Sequence, residues 1–191
     1  MEKAKNSSIW TEAGYDLFAK EGIEGIQVER LARILNLNKS GFYHYFGDLD
    51  GYCEELIKLH RRKADLYLAD LSKVKSIDPD YLMMLVRHKI PCLFHLHLIR
   101  SKNNPLFYKT AEQIDQQEDV VVGELWSEYL GIQDHPTLAI RYFNIVRDML
   151  YTRVNIKNFE YPFLQKLIAE AKAVMQQMTD SKELETGESV F

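Results

Sequence analysis

Apolar positions recur at helical spacing along nearly the whole chain, and no stretch alternates with the period of two that a half-buried strand requires. Ile9, Ala13, Leu17 and Phe18 mark the inward stripe of a first helix, with Ser7 or Ser8 as its expected cap and Gly22 as its stop. Val28, Leu31, Ala32 and Leu35 follow at i, i+3, i+4 and i+7 and give a second helix. Asn36, Leu37 and Asn38 form a tight turn, because asparagine tolerates the left-handed backbone such turns need, and Asn38 is placed to cap a third helix. A fourth begins after Asp48, with Asp50, Glu54 and Glu55 early and Arg61, Arg62 and Lys63 late, the order that the helix dipole favours.

Proline punctuates the remainder. Pro79, Pro105, Pro136 and Pro162 each open an amphipathic run, and proline is well tolerated at the first helical position because the amide it lacks has no partner there. These starts predict helices over 79–101, 105–130 (with room for one break), 136–156 and 162–178. Asp78 and Asn104 stand before two of them as N-caps, and Asp134 lies close to a third. Pro91 falls inside a run and is expected to kink it. The expected class is all-α, and the polar stretch 180–191 is expected to be disordered.

On the third helix, at 100° per residue, Phe42, Tyr45 and Phe46 share the face that packs on the first two helices. Lys39, Ser40, Tyr43 and His44 fall on the other. Lysine pairs with phosphate or a guanine edge, serine with either, and tyrosine and histidine bring apolar bodies with polar tips that suit phosphate or thymine. Gly41 leaves a gap through which backbone can approach a duplex, and Gln27 at the start of the second helix can reach phosphate. Two short helices and a tight turn with this chemistry predict a DNA-binding helix-turn-helix. The plain alternative is a helical hairpin with an aromatic core and a polar outside.

Composition narrows the rest. Over 191 residues the chain is 46% hydrophobic and 27% charged, which supports a packed core in a soluble protein. No window approaches the roughly 18 uninterrupted apolar residues of a membrane span. The start lacks the apolar run of a secretory signal, and the two cysteines, Cys53 and Cys92, have no paired spacing, so a cytoplasmic location and no association with membrane are expected. The net charge of −4 repels phosphate. Residues 1–63 are neutral, with ten Lys/Arg and ten Asp/Glu, and the excess lies beyond them, so attraction to DNA must come from a local basic face.

Residues 8–56 resemble the DNA-binding domain of the TetR family of transcriptional regulators. The run from Asn36 to Phe46 is similar to that family's pattern around the turn and third helix, and Leu17, Phe18, Gly22, Leu31 and Ala32 fit its spacing upstream. The resemblance covers about a quarter of the chain. It implies about nine helices, a DNA-binding domain at 1–48, a homodimer, and a helical domain at 49–179 that senses a small molecule. Three positions depart from the pattern: Gln27 where the family usually has Thr, Asn36 where it has Gly, and Leu49 where a Lys normally touches phosphate. With Asp48 and Asp50 flanking Leu49, modest and salt-sensitive affinity is expected, or extra contacts from Lys3 and Lys5.

In the larger domain, Ala139, Tyr142, Phe143, Val146, Met149, Leu150 and Val154 recur at near-heptad spacing, as do Leu164, Leu167, Ile168, Ala171, Val174, Met175 and Met178. Two such helices can bury one stripe at home and another against a second copy, or both at home. A helix-turn-helix that reads half-sites ~34 Å apart favours the dimer. Tyr81, Met84, His88, Cys92, His95 and Ile99 project within one arc of the helix predicted over 79–101, and this mixture suits a pocket for an organic molecule. Alternatively, His88 and His95 bond to carbonyls freed at the kink. A zinc site on His88, Cys92 and His95 would need a fourth group, either His97, which points the other way, or an acidic residue from elsewhere, so no metal or cofactor is assigned. Tyr108, Trp126, Arg147 and Tyr151 are further pocket candidates, with Arg147 meeting an anionic ligand or pairing with Asp148 or Glu124.

The reading that follows is a ligand-responsive repressor that holds a double-stranded palindromic operator as a homodimer. An architectural or adaptor protein of the same fold without an effector is the alternative. No catalytic group is assigned, because two histidines and a cysteine on one helix bring neither an oxyanion hole nor a third orienting group.

Overall fold

In the computed structural model, which describes residues 2–187 with side chains from Ser7 to Met178, the chain forms nine α-helices and no strand among the described residues. Helix α1 (Glu2–Glu21) begins ahead of the two serines, so neither Ser7 nor Ser8 caps it; the Ser7 carbonyl instead accepts from the Thr11 hydroxyl at 3.0 Å. The side chains of Lys3 and Lys5 lie outside the described residues. α1 stops at Gly22, in left-handed backbone (φ 73°), whose amide bonds to the Phe18 carbonyl at 2.8 Å. A 3-10 turn at Ile23–Gly25 leads into α2 (Val28–Leu35), which α3 (Lys39–Phe46) and α4 (Leu49–Leu71) follow. The Asp48 carboxylate accepts from the Gly51 amide at 2.8 Å and so caps α4.

The helix expected over 79–101 is two helices. Ser76, not Asp78, caps the first turn, its hydroxyl accepting from the Asp80 amide at 3.4 Å, while Asp78 is extended (φ −118°, ψ 120°). The Asp78 carboxylate accepts instead from the Tyr161 hydroxyl at 2.5 Å and the Gln165 amide at 3.1 Å. A π-turn at Ile77–Tyr81 runs into α5 (Leu82–Arg87), and α6 (Lys89–Arg100) starts afresh after His88 (φ −94°, ψ 23°). Pro91 is thus third in α6. Its ring excludes a helical carbonyl at Arg87, and in a first turn its missing amide would have had no partner, so the proline begins a helix rather than kinking one.

α7 (Pro105–Leu130) is unbroken, and the Asn104 side chain caps it by accepting from the amides of Leu106 at 3.1 Å and Phe107 at 3.2 Å. Pro136 opens α8 (Pro136–Arg153), but its N-cap is His135, which makes no side-chain cap bond, rather than Asp134. α9 (Tyr161–Gly187) has Pro162 second. The stretch expected to be disordered from Asp180 falls on the last part of α9, whose side chains, like residues 188–191, lie outside the described residues.

The helices pack as two units. The first comprises Met1–Asp70 and His88–Gln117. Its centre is Phe94 of α6, fully buried, stacked on Tyr15 with ring centroids 4.2 Å apart and flanked by Phe18 at 4.3 Å and His60 at 4.6 Å. The second comprises Leu71–Arg87 and Glu118–Phe191. There α8 turns Ala139, Phe143 and Val146 inward, and the Tyr142 hydroxyl ties α8 to α9 by donating to the Ala171 carbonyl at 2.7 Å. No single helix among the described residues is long and apolar enough to cross a membrane.

Candidate functional site

The turn between α2 and α3 rests on Asn36, which takes left-handed backbone (φ 52°, ψ 44°) in the place where the resembled family has glycine. The Asn38 side chain then caps α3 by accepting from the Ser40 amide at 2.9 Å. Phe42 is fully buried, 4.8 Å from Tyr52 and 5.7 Å from Trp10 between ring centroids, and the Tyr52 hydroxyl donates to the Trp10 carbonyl at 2.6 Å. One buried ring therefore fixes the rotation of α3. With Phe42 inward and Tyr45 and Phe46 half-buried, Lys39, Ser40, Tyr43 and His44 are exposed, as is Gln27 at the N-cap of α2, whose side chain makes no cap bond. Lys39 lies 3.6 Å from the Glu29 carboxylate of α2, with both side chains more than half exposed. Such a pair contributes about 0–1 kcal/mol and yields readily to a stronger anion.

His88, just ahead of α6, and Cys92 and His95, on it, lie in the first unit, so they do not continue a face begun by Tyr81 and Met84, which are buried in the second. His88 bonds through Nε2 to Asp70 of α4 at 2.9 Å, edge-on to Tyr67. His95 bonds through Nε2 to Asp115 of α7 at 3.0 Å, and its Nδ1 lies 3.3 Å from His60 Nε2; His60 Nδ1 lies 2.8 Å from the Tyr15 hydroxyl. The partners are thus carboxylates and a second imidazole rather than carbonyls at a kink. The Asp115 carboxylate can only accept, so His95 donates to it through Nε2, and His60 joins this pair to the Tyr15 hydroxyl. Burial, then the neighbouring His95 and Arg61, holds the His60 pKa well below its ordinary value. Among the described residues no three metal-ligating side chains gather. Cys92 is half-buried and Tyr108, on α7, is exposed.

In the second unit a cavity with about 40 Å³ of water-accessible space, room for a few waters, lies among α5, α7, α8 and α9. Tyr81, Trp126 and Arg147 line it with Leu82, Phe143 and Leu150; Met84 and Tyr151 are not on its wall. Arg147 pairs with Asp119 at 3.0 Å and Glu118 at 3.3 Å, both on α7, rather than with Asp148 or Glu124. The Tyr81 hydroxyl donates to the other Glu118 oxygen at 2.8 Å. Glu118 and His60 were not picked out from the sequence, yet each carried a signal there. Glu118 occupies a stripe with Ile114, Val122 and Trp126, and His60 one with Leu56, Ala64 and Tyr67, so each is a polar group in an apolar register.

A capped third helix, rotated outward by one buried phenylalanine and preceded by a left-handed turn, defines the head as a helix-turn-helix. Residues 11–51 match the model of the family described as bacterial regulatory proteins, tetR family, and the head belongs to that family. The chain is also similar to proteins named HTH-type transcriptional regulator in Staphylococcus aureus: 30% identical over 108 residues in strain bovine RF122 / ET3-1, and 28% over 111 residues in strain USA300. Both alignments cover 52% of this chain and 57% of the relative, so the chain spans little more than half the length of these curated relatives.

Proposed function

We propose that the protein is a ligand-responsive transcriptional repressor that holds a palindromic operator as a homodimer. The observation that carries this reading is the outward face of α3: Lys39, Ser40, Tyr43 and His44 are exposed around Gly41, with Phe42 anchored behind them. Lys39 and Gln27 engage phosphate, while Ser40, Tyr43 and His44 read base edges or the thymine methyl. The Asp48 carboxylate, spent on capping α4, repels the backbone less freely than an unoccupied one.

Two further features support the dimer and the sensor. Leu138, Ile145 and Met149 of α8 and Val174 and Met178 of α9 remain exposed although their helices bury other residues at home. An apolar stripe left over after the unit's own packing suits a second copy. The cavity beside Trp126 and Arg147 is the proposed effector site. Its free space is too small for an organic ligand, so binding selects a conformation in which the lining helices part, and operator affinity falls by the ligand's preference for that state.

The test is operator selection from genomic fragments, followed by gel shift of variants. Lys39→Ala and Tyr43→Ala are each expected to lose sequence-specific binding while the dimer and helix content stay intact. Wild-type shifts by both variants would sink the assignment.

A further inference from the structure

From Gln27 to Phe46 the head carries three Lys/Arg residues, Arg30, Arg33 and Lys39, and a single acid, Glu29. Arg30 is committed to Glu21 at the end of α1, to which its terminal nitrogens donate at 2.5 and 2.6 Å. Arg33, one turn along α2 from Glu29, is exposed. Glu29 stands in the first turn of α2, and its carboxylate lies 3.6 Å from the ammonium of Lys39, the first residue of α3. Both side chains are open to solvent, Glu29 at 72% and Lys39 at 61%.

The recognition helix of a helix-turn-helix meets base edges with its N-terminal residues, while the helix before it crosses the backbone. Glu29 belongs to the earlier helix, yet its carboxylate sits against the first residue of the later one. An acceptor-only group therefore accompanies Lys39 to the duplex. When Lys39 turns to a phosphate, Glu29 loses its counter-ion and faces a polyanion. Repulsion from phosphate weakens every complex alike. Only an N–H donor on a base edge offsets it, and in the major groove guanine presents two acceptors and thymine an acceptor and a methyl. Adenine presents an amino group beside the N7 acceptor, whereas cytosine presents its amino group alone.

We infer that Glu29 is a specificity-determining residue of the head, its carboxylate accepting from the N4 amino group of one cytosine in each half-site once Lys39 has moved to phosphate. The inference rests on the DNA-binding reading above and adds to the α3 contacts a reader from α2. Part of its effect is exclusion, because guanine or thymine at the same place sets an acceptor against the carboxylate.

The probe is duplex DNA: the operator selected by the wild-type full chain, and every single base-pair replacement within one half-site, measured by gel shift at one salt concentration. At one position, replacing cytosine is expected to weaken wild-type binding about tenfold. In Glu29→Ala that penalty is expected to shrink to about twofold or less while the other positions keep theirs. In Glu29→Gln adenine is expected to be accepted there as well as cytosine, since a glutamine amide donates to N7 and accepts from the adenine amino group. Glu29 is exposed, and helix content by circular dichroism checks that both variants fold. A wild-type penalty retained at that position by Glu29→Ala, whatever happens to overall affinity, makes Glu29 no more than the counter-ion of Lys39 and overturns the inference with the DNA-binding reading intact. Continued exclusion of adenine by Glu29→Gln overturns the assignment to an amino group. A wild-type chain that selects no sequence overturns the inference together with the reading beneath it.

Discussion

At position 41 a glycine sits inside a helix that has room for a side chain. A Cβ built there would have as its nearest neighbour Cε2 of Tyr45 at 3.9 Å, an ordinary contact, and the backbone is not left-handed. The contrast is Gly14, where the same atom would lie 1.7 Å from the Tyr52 hydroxyl oxygen. The fold therefore requires glycine at 14 and not at 41, although glycine within a helix is less stable than alanine by roughly 0.5–1 kcal/mol. On the proposed reading, close approach of a DNA backbone or base edge accounts for tolerating that loss on an outward face. Gly41→Ala is thus expected to raise the urea midpoint by an amount matching that range and to weaken operator binding. Unchanged affinity in a gel shift would mean that nothing approaches the α3 backbone there.

Among the elements, the head was the most legible part of the sequence and α6 the least. The head's spacing is local: Val28, Leu31, Ala32 and Phe42 occupy one face each, and Asn36 and Asn38 perform the turn and cap that their chemistry allows. The arc drawn through Tyr81, Met84, His88, Cys92 and His95 assumed one continuous helix. A proline that begins a helix and one that kinks a helix look alike until the residue at which the backbone leaves helical geometry is known, and here that residue is His88. The partners of His95 come from α4 and α7, 35 and 20 positions away, where only the polar residue within an apolar stripe hinted at them. His60 is buried between the Tyr15 hydroxyl and His95, and its burial makes stability depend on pH. His60 holds a folded-state pKa depressed below that of the unfolded chain, so the unfolded state binds more protons as pH falls through the ordinary histidine range. Its contribution is complete above about pH 6.5 and is lost on acidification, by at most about 1.4 kcal/mol per pH unit. The urea midpoint of the wild type is expected to fall between pH 7 and 5 more steeply than that of His60→Gln; parallel slopes would show that His60 does not resist protonation.

For the molecule as a whole, the informative feature is what α8 and α9 leave uncovered. Ile145 is 55% and Val174 49% exposed, although their helices bury other residues at home. A carboxylate placed on that stripe has no effect on a monomer beyond solubility but must be desolvated in a dimer. Ile145→Glu is therefore expected to halve the mass seen by sedimentation without reducing helix content, and an unchanged mass would exclude this stripe from the interface. On the dimer reading, the stripe also shapes the response to how much protein the cell makes. Below the concentration at which copies pair, the number of operator-competent particles grows with the square of the amount synthesised. Doubling expression then quadruples the competent pool, so control acquires a threshold before any effector is present, and that threshold is set by a handful of aliphatic side chains far along the sequence from the recognition helix.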